Sequence, residues 1–152
     1  MSTHARAVHT ARTPVQQAAL VVGAVFLLVG VLGFIPGITT NYDTMEFAAH
    51  HSEAKLLGIF QVSILHNLVH LAFGVAGLAL ARTAAQARLY LLAGGAIYLV
   101  LWLYGLIIDH DSAANFVPLN TADNWLHLVL GLSMIALGAL LARKPAPARS
   151  AG

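Results

Sequence analysis

The sequence predicts an all-α integral membrane protein, a bundle of four transmembrane helices. Hydrophobic residues make up 59% of the 152-residue chain, and Asp, Glu, Lys and Arg together make up 9%. A soluble domain carries roughly 25% of these charged residues. Four uncharged apolar stretches of 18 to 20 residues, at 18–35, 64–81, 89–108 and 125–142, are each long enough to cross a hydrocarbon core about 30 Å thick. Composition therefore excludes a water-soluble domain, and the lipid bilayer is the expected surrounding.

The first stretch is predicted to be a retained span rather than a signal peptide. Its apolar run exceeds the roughly 7 to 15 residues of a signal core, and no small-x-small cleavage pattern follows it. We expect a four-helix transmembrane domain over residues 15–143. Residues 1–14 and 144–152 are poor in apolar groups, so both are expected to be disordered tails.

The distribution of positive charge predicts the orientation in the membrane. Seven of the eight Lys and Arg lie before the first stretch, between the second and third, or after the fourth, and only Lys55 lies elsewhere. Short cytoplasmic segments of membrane proteins carry an excess of Lys and Arg. Both termini and the middle loop are therefore predicted to be cytoplasmic. The basic residues are scattered rather than striped, so no nucleic acid partner is expected.

The second and fourth stretches share the pattern Asn-x-x-His-Leu-x-x-Gly, beginning at Asn67 and at Asn124. The first and third stretches match more weakly, mainly at glycines. We interpret the chain as two helix hairpins related by duplication. Each hairpin has two spans, so both run the same way and the pseudo-two-fold axis should lie along the membrane normal. The second and fourth spans are predicted to face each other across this axis.

The two halves differ mainly in the first outer loop, residues 41–55. Asp43-x-x-Glu46 is typical of a helix N-terminus, and apolar residues follow it at helical spacing. The pattern predicts a short interfacial helix lying on the outer leaflet. On such a helix Glu46, His50 and Glu53 would share one face, where a solvated or headgroup-facing charge cluster is the favoured interpretation.

Three segments together resemble a family of small bacterial four-span membrane proteins known as domain of unknown function 4383. They are FLLVGVLGFIPG at 26–37, HNLVHLAFG at 66–74 and ADNWLHLVLG at 122–131. The resemblance covers residues 18–142 and implies a topology, a motif and a place in a bacterial plasma membrane, but no activity. One departure is local: Gln61-Val-Ser stands where Pro-x-Asn is expected, whereas the second half keeps Pro118-Leu-Asn.

Polar residues collect at the predicted outer ends of the second and fourth spans, and we call them the polar cluster. The polar cluster consists of His66, Asn67, His70, Asp123, Asn124 and His127. His66 lies four residues before His70, and Asp123 lies four before His127, so each pair shares one helix face. The favoured interpretation is structural, with these side chains hydrogen-bonding across the bundle.

Two ligand-binding interpretations of the polar cluster remain open. If the helices pack face to face, three imidazoles and the Asp123 carboxylate form a tetrahedral zinc or copper site of His66, His70, Asp123 and His127. In the other interpretation, His70 and His127 hold a b-type haem from facing helices.

The favoured function is therefore that of a structural or interaction protein, with a metal-binding or haem-binding module as the alternative. A transporter subunit is less favoured, because the inner halves of the spans carry almost no polar side chain. The sequence contains no Ser-His-Asp set or other hydrolase signature, so we do not predict an enzyme. The expected partners are the lipid bilayer and either a second copy of the chain or another membrane protein.

Overall fold

The structure, a computed structural model, describes residues 11–141, so most of the predicted tail 1–14 and all of the predicted tail 144–152 lie outside the described residues. It is all-α with four helices, α1 Pro14–Leu32, α2 Ile64–Leu80, α3 Ala84–Ile107 and α4 Thr121–Leu140. Among the described residues, α1, α3 and α4 are long and apolar enough to cross a membrane, and α2 is an apolar helix of 17 residues. These helices indicate a membrane protein.

Three of the helices begin four or five residues before the predicted apolar stretches. Polar N-cap residues start them: Thr13 for α1, Thr83 for α3 and Asn120 for α4. Such residues can accept hydrogen bonds from N–H groups that have no partner within the helix. The predicted tail of residues 1–14 is therefore wrong at its end, since Pro14 is already the first residue of α1.

The helices are arranged as two hairpins, with α1 packed along α2 and α3 packed along α4. The hairpins meet chiefly through α1 and α3, while α2 and α4 hardly contact each other. The predicted face-to-face packing of the second and fourth spans is therefore wrong. The physical reason is that the rings of Phe26 and Tyr98, each 2% exposed, stack on each other and join α1 to α3.

The predicted interfacial helix in the first outer loop is also wrong. That loop forms a 3-10 turn at Tyr42–Thr44 and a small antiparallel sheet in the order β1 Thr39–Thr40, β2 Lys55–Leu56, β3 Phe60–Gln61. Glu46, His50 and Glu53 therefore share no helical face.

Backbone hydrogen bonds explain why the loop does not form its own helix. The carbonyl of Glu46 accepts from the N–H of Ile64 at 3.0 Å, and that of Phe47 accepts from Leu65 at 2.8 Å. These two N–H groups belong to the first turn of α2, where no partner exists within the helix. The loop backbone therefore caps α2, and this tertiary role outweighs the local helical pattern.

Candidate functional site

The six residues of the polar cluster are all buried, with exposed fractions between 1% and 7%. They lie in the first two turns of α2 and α4, and equivalent caps place them there. The Ser63 hydroxyl accepts a hydrogen bond from the His66 N–H at 3.1 Å. The Asn120 side chain accepts one from the Asp123 N–H at 3.0 Å. His66 and Asp123 thus occupy the same position in their helices.

Each asparagine of the polar cluster packs against a glycine at the C-terminal end of the other helix in its hairpin. A Cβ atom at Gly33 would collide with Oδ1 of Asn67, and a Cβ atom at Gly105 would collide with Oδ1 of Asn124. Any larger residue at either glycine would have to displace a buried amide. The two glycines therefore make room for the two asparagines.

Further along the motif, glycines bring the helix backbones of each hairpin together. A Cβ atom at Gly23 would lie 3.0 Å from the Gly74 carbonyl oxygen, and one at Gly95 would lie 2.8 Å from that of Gly131. Small residues permit such close packing of membrane helices. This close approach sets the depth at which the histidines of α2 and α4 meet the aromatic side chains of α1 and α3.

Four aromatic rings connect the two hairpins. The His70 ring lies 5.5 Å from Phe26, the Phe26 ring stacks on Tyr98 at 5.4 Å, and Tyr98 lies 5.1 Å from His127, all between centroids. Aromatic rings whose centroids lie about 4.5 to 7 Å apart are in favourable contact. His70 and His127 are therefore linked through Phe26 and Tyr98.

The three histidines of the polar cluster use their ring nitrogens differently. His66 stacks on His70 with the centroids 4.6 Å apart, and Nδ1 of His70 lies 3.0 Å from the His66 carbonyl oxygen. Nδ1 of His66 and Nδ1 of His127 are buried and have no hydrogen-bond partner among residues 11–141. Two buried imidazole nitrogens of the polar cluster are therefore without a hydrogen-bond partner in this range.

The carboxylate of Asp123 joins the outer sheet to α4. Its Oδ2 accepts from the N–H of Asn120 and from the N–H of Gln61, both at 2.9 Å. Gln61 is the residue that departs from the expected Pro-x-Asn, and proline has no N–H to donate. The departure therefore supplies a donor that binds Asp123, a role that sequence reasoning missed although the departure itself was visible.

Asn115 is a second residue that sequence reasoning missed. It is 1% exposed, and its side-chain amide donates to the carbonyls of His110 and Leu119, each at 3.0 Å. Its Oδ1 also accepts from the Leu119 N–H at 2.9 Å. Asn115 thus folds the loop of residues 108–120, the predicted second outer loop, over the start of α4, and no motif marked it.

The structure does not bring the proposed metal ligands together. Within the described part of the chain, no three His, Cys, Asp or Glu side chains form a group that could hold a metal ion. The Asp123 carboxylate is already hydrogen-bonded to two backbone N–H groups. Zinc or copper binding by His66, His70, Asp123 and His127 therefore stays a prediction that needs its own experiment.

A b-type haem between His70 and His127 meets a steric difficulty. Phe26 contacts the His70 ring and Tyr98 contacts the His127 ring, and Phe26 and Tyr98 also stack on each other. A macrocycle held between the two imidazoles would have to displace both rings. The residues as placed do not fit the group.

Comparison with known proteins agrees with the resemblance seen in the sequence. Residues 16–140 match the family model described as "Domain of unknown function (DUF4383)". No curated protein and no solved structure matches the chain. The matched range contains the whole polar cluster and all of α2, α3 and α4. The chain therefore belongs to the DUF4383 family.

Proposed function

We propose that the protein is a structural or interaction protein of the bacterial plasma membrane that crosses the bilayer four times. α1, α3 and α4 have the length and composition of spans. The 17 residues of α2 extend about 25 Å at 1.5 Å per residue. Because α2 packs along α1 and is joined to α3 by residues 81–83 alone, it returns the chain across the same layer.

The observation that carries this proposal is how the polar cluster is used. Its carboxylate accepts from two backbone N–H groups, and Nδ1 of His70 lies 3.0 Å from the His66 carbonyl oxygen. Its amides pack against Gly33 and Gly105, although Oδ1 of Asn124 has no hydrogen-bond partner within residues 11–141. In lipid, polar groups must find partners inside the protein. The surface is apolar along the helices, with exposed Val21, Leu28, Val75, Val100, Val129 and Leu132. This combination favours a membrane-embedded structural role.

We infer that the two hairpins arose by duplication. Three kinds of contact support this inference, each made once in either hairpin. They are glycine with asparagine, glycine with glycine, and an aromatic ring with histidine: Gly33–Asn67 and Gly105–Asn124, Gly23–Gly74 and Gly95–Gly131, Phe26–His70 and Tyr98–His127. The contact between Phe26 and Tyr98 would then lie at the pseudo-two-fold axis.

A ligand-binding module is the second candidate function. The observation that favours it is the pair of buried ring nitrogens, in His66 and His127, that lack partners within residues 11–141. Buried polar groups normally have a hydrogen-bond partner. Metal binding is one form of this candidate, and no catalytic or transport activity is proposed.

Cysteine labelling tests the membrane placement. The chain contains no cysteine, so single cysteines can be introduced at Ala113 in the second outer loop and at Thr83 before α3, both exposed. In intact cells, a membrane-impermeant maleimide is expected to label the Ala113→Cys protein. It should label the Thr83→Cys protein only after the cells are permeabilised. Labelling of Thr83→Cys alone in intact cells would reverse the proposed orientation.

A further inference from the structure

An open groove of about 420 Å³ runs between α2 and α3 on the outside of the bundle, and we call it the apolar groove. Its lining residues extend from Ala72 to Leu80 on α2 and from Leu89 to Ile97 on α3. Each side is about 12 Å long at 1.5 Å per residue. Because Leu80 ends α2 and residues 81–83 join it to α3, this connection closes one end of the groove. The apolar groove therefore has most of the length of one leaflet, since half of a hydrocarbon core is about 15 Å thick.

The apolar groove offers an occupant apolar contact alone. Ala76 and Ala93 line it with small side chains, and the buried Tyr90 and Gly94 form its base. Among the lining residues, all of them in the described part of the chain, Tyr90 has the only polar side-chain group. Its hydroxyl already donates to the Phe73 carbonyl at 3.2 Å. A hydrocarbon chain is therefore the matching occupant.

The small lining residues do not follow from the repeated pattern. When the shared motifs are aligned, α4 corresponds to α2 and α1 corresponds to α3. The pair α1 and α4 has larger residues at the corresponding positions. They are Val21, Val22 and Val129 in place of Ala93, Gly94 and Ala72. The combination of small residues that leaves the groove open is therefore specific to the pair α2 and α3.

The closed end of the apolar groove is positively charged. Arg82 lies in the connection itself, and Arg88 lies in the second turn of α3. Arg12 precedes α1 at the same end, because Gln16 of α1 donates to the carbonyl of Arg82 at 2.9 Å. All three arginines are exposed, whereas all six carboxylates of the sequence lie in the loops before α2 and α4 or in the first turn of α4. Basic residues at a membrane surface attract anionic lipids, and no carboxylate opposes that attraction at this end.

We propose that the apolar groove binds one acyl chain of an anionic phospholipid, with the phosphate beside Arg82. The apolar lining and the length of the groove correspond to the acyl chain within one leaflet, and the positive end corresponds to the head group. A second copy of the chain fits this surface less well. Two copies that lie the same way in one membrane would bring their arginines together, and like charges repel. The inference rests on the proposed membrane placement and concerns binding alone.

Native mass spectrometry of the full-length protein in detergent tests the preference for an anionic head group. The probes are phosphatidylglycerol, which is anionic, and phosphatidylcholine, which has no net charge, with identical acyl chains. Wild type should bind one phosphatidylglycerol at least about fivefold more tightly, the factor that one basic residue contributes near a membrane surface. Arg82→Gln should lower the affinity for phosphatidylglycerol about fivefold and leave that for phosphatidylcholine unchanged. Lys55→Gln is the matched control, because Lys55 lies in β2 at the opposite end of the bundle.

A second pair of variants tests the apolar groove itself. Ala93→Phe should fill it and weaken the binding of both lipids about tenfold or more, the factor lost with about two buried methylene groups. Ala96→Phe should leave binding unchanged, because Ala96 is an equally exposed residue of α3 that does not line the groove. Both substitutions are at exposed positions, so both variants are expected to fold.

Three results would overturn the proposal. They are equal affinity for the two lipids in wild type, equal affinity for phosphatidylglycerol in Ala93→Phe and wild type, and a wild-type dimer that Ala93→Phe converts to a monomer. The last result would assign the apolar groove to a second copy of the chain. Lipid binding in detergent does not depend on orientation, so its failure is distinguishable from a failure of the labelling experiment.

Discussion

Leucine in place of Gly74 or Gly131 is expected to prevent normal packing of the corresponding hairpin and to lower the free energy of unfolding by about 3 kcal/mol or more. A Cβ atom at Gly74 alone would lie 2.7 Å from the backbone nitrogen of Leu27 and 2.8 Å from the carbonyl oxygen of Gly23. Backbone atoms of a neighbouring helix can give way only if the helices separate. Close packing at small residues is a main source of association between membrane helices.

The two glycine variants should behave alike, because the Cβ at Gly131 meets the Gly95 carbonyl oxygen at 3.0 Å in the same manner. Ala79→Leu is the matched control, since it enlarges an exposed residue of α2. Thermal unfolding of the three purified proteins in detergent provides the measurement. If Gly74→Leu melts at the same temperature as Ala79→Leu, the close approach of α1 and α2 is not as described.

Removing the ring of Phe26 should have the next largest effect, a loss of about 3–5 kcal/mol in the free energy of unfolding for Phe26→Ala. The ring is 2% exposed and packs against Tyr98, His70 and Phe73 at centroid distances of 5.4, 5.5 and 5.7 Å. Its removal leaves a cavity at the contact between the hairpins. Phe47→Ala is the control, because Phe47 is 62% exposed and its loss leaves no buried space.

A double-mutant cycle isolates the contact between the hairpins. Phe26→Ala and Tyr98→Ala, measured singly and together, should show a coupling energy of about 0.5–1.5 kcal/mol, the usual value for an aromatic pair. Strictly additive effects would mean that the two rings do not touch. In that case the hairpins must join through other residues of α1 and α3.

The four helices were predictable because uncharged apolar stretches of that length have few other uses in a protein. Their first turns were not, because residues such as Thr83 and Asn120 extend a helix through capping rather than through apolar character. The repeated motif correctly indicated that α2 and α4 have buried polar residues at corresponding positions. It could not indicate which helices touch, since likeness between two helices carries no information about their contact.

The candidate site was likewise only partly predictable from the sequence. The six residues of the polar cluster could be named from spacing alone, because residues four apart share a helix face. The hydrogen-bond partners of Asp123 could not be predicted from spacing. The N–H of Gln61 reaches its carboxylate only once β3 has paired in the small sheet. Asp43-x-x-Glu46 gave a wrong local prediction because the carbonyl of Glu46 is used by α2. Tertiary hydrogen bonds decided each of these outcomes.

We propose that the polar cluster is structural rather than a metal site. Its most direct test is the thermal midpoint of wild type and His70→Gln in detergent, each with zinc, with copper and with a chelator. A metal bound only by the folded state raises stability with its concentration. His70→Gln would remove only one hydrogen bond within α2, to the His66 carbonyl, which is worth about 0.5–1.5 kcal/mol, and one aromatic contact with Phe26. We expect a wild-type midpoint that neither metal nor chelator moves and a small decrease in His70→Gln. A wild-type midpoint that rises with metal, falls with chelator and loses this response in His70→Gln would contradict the account.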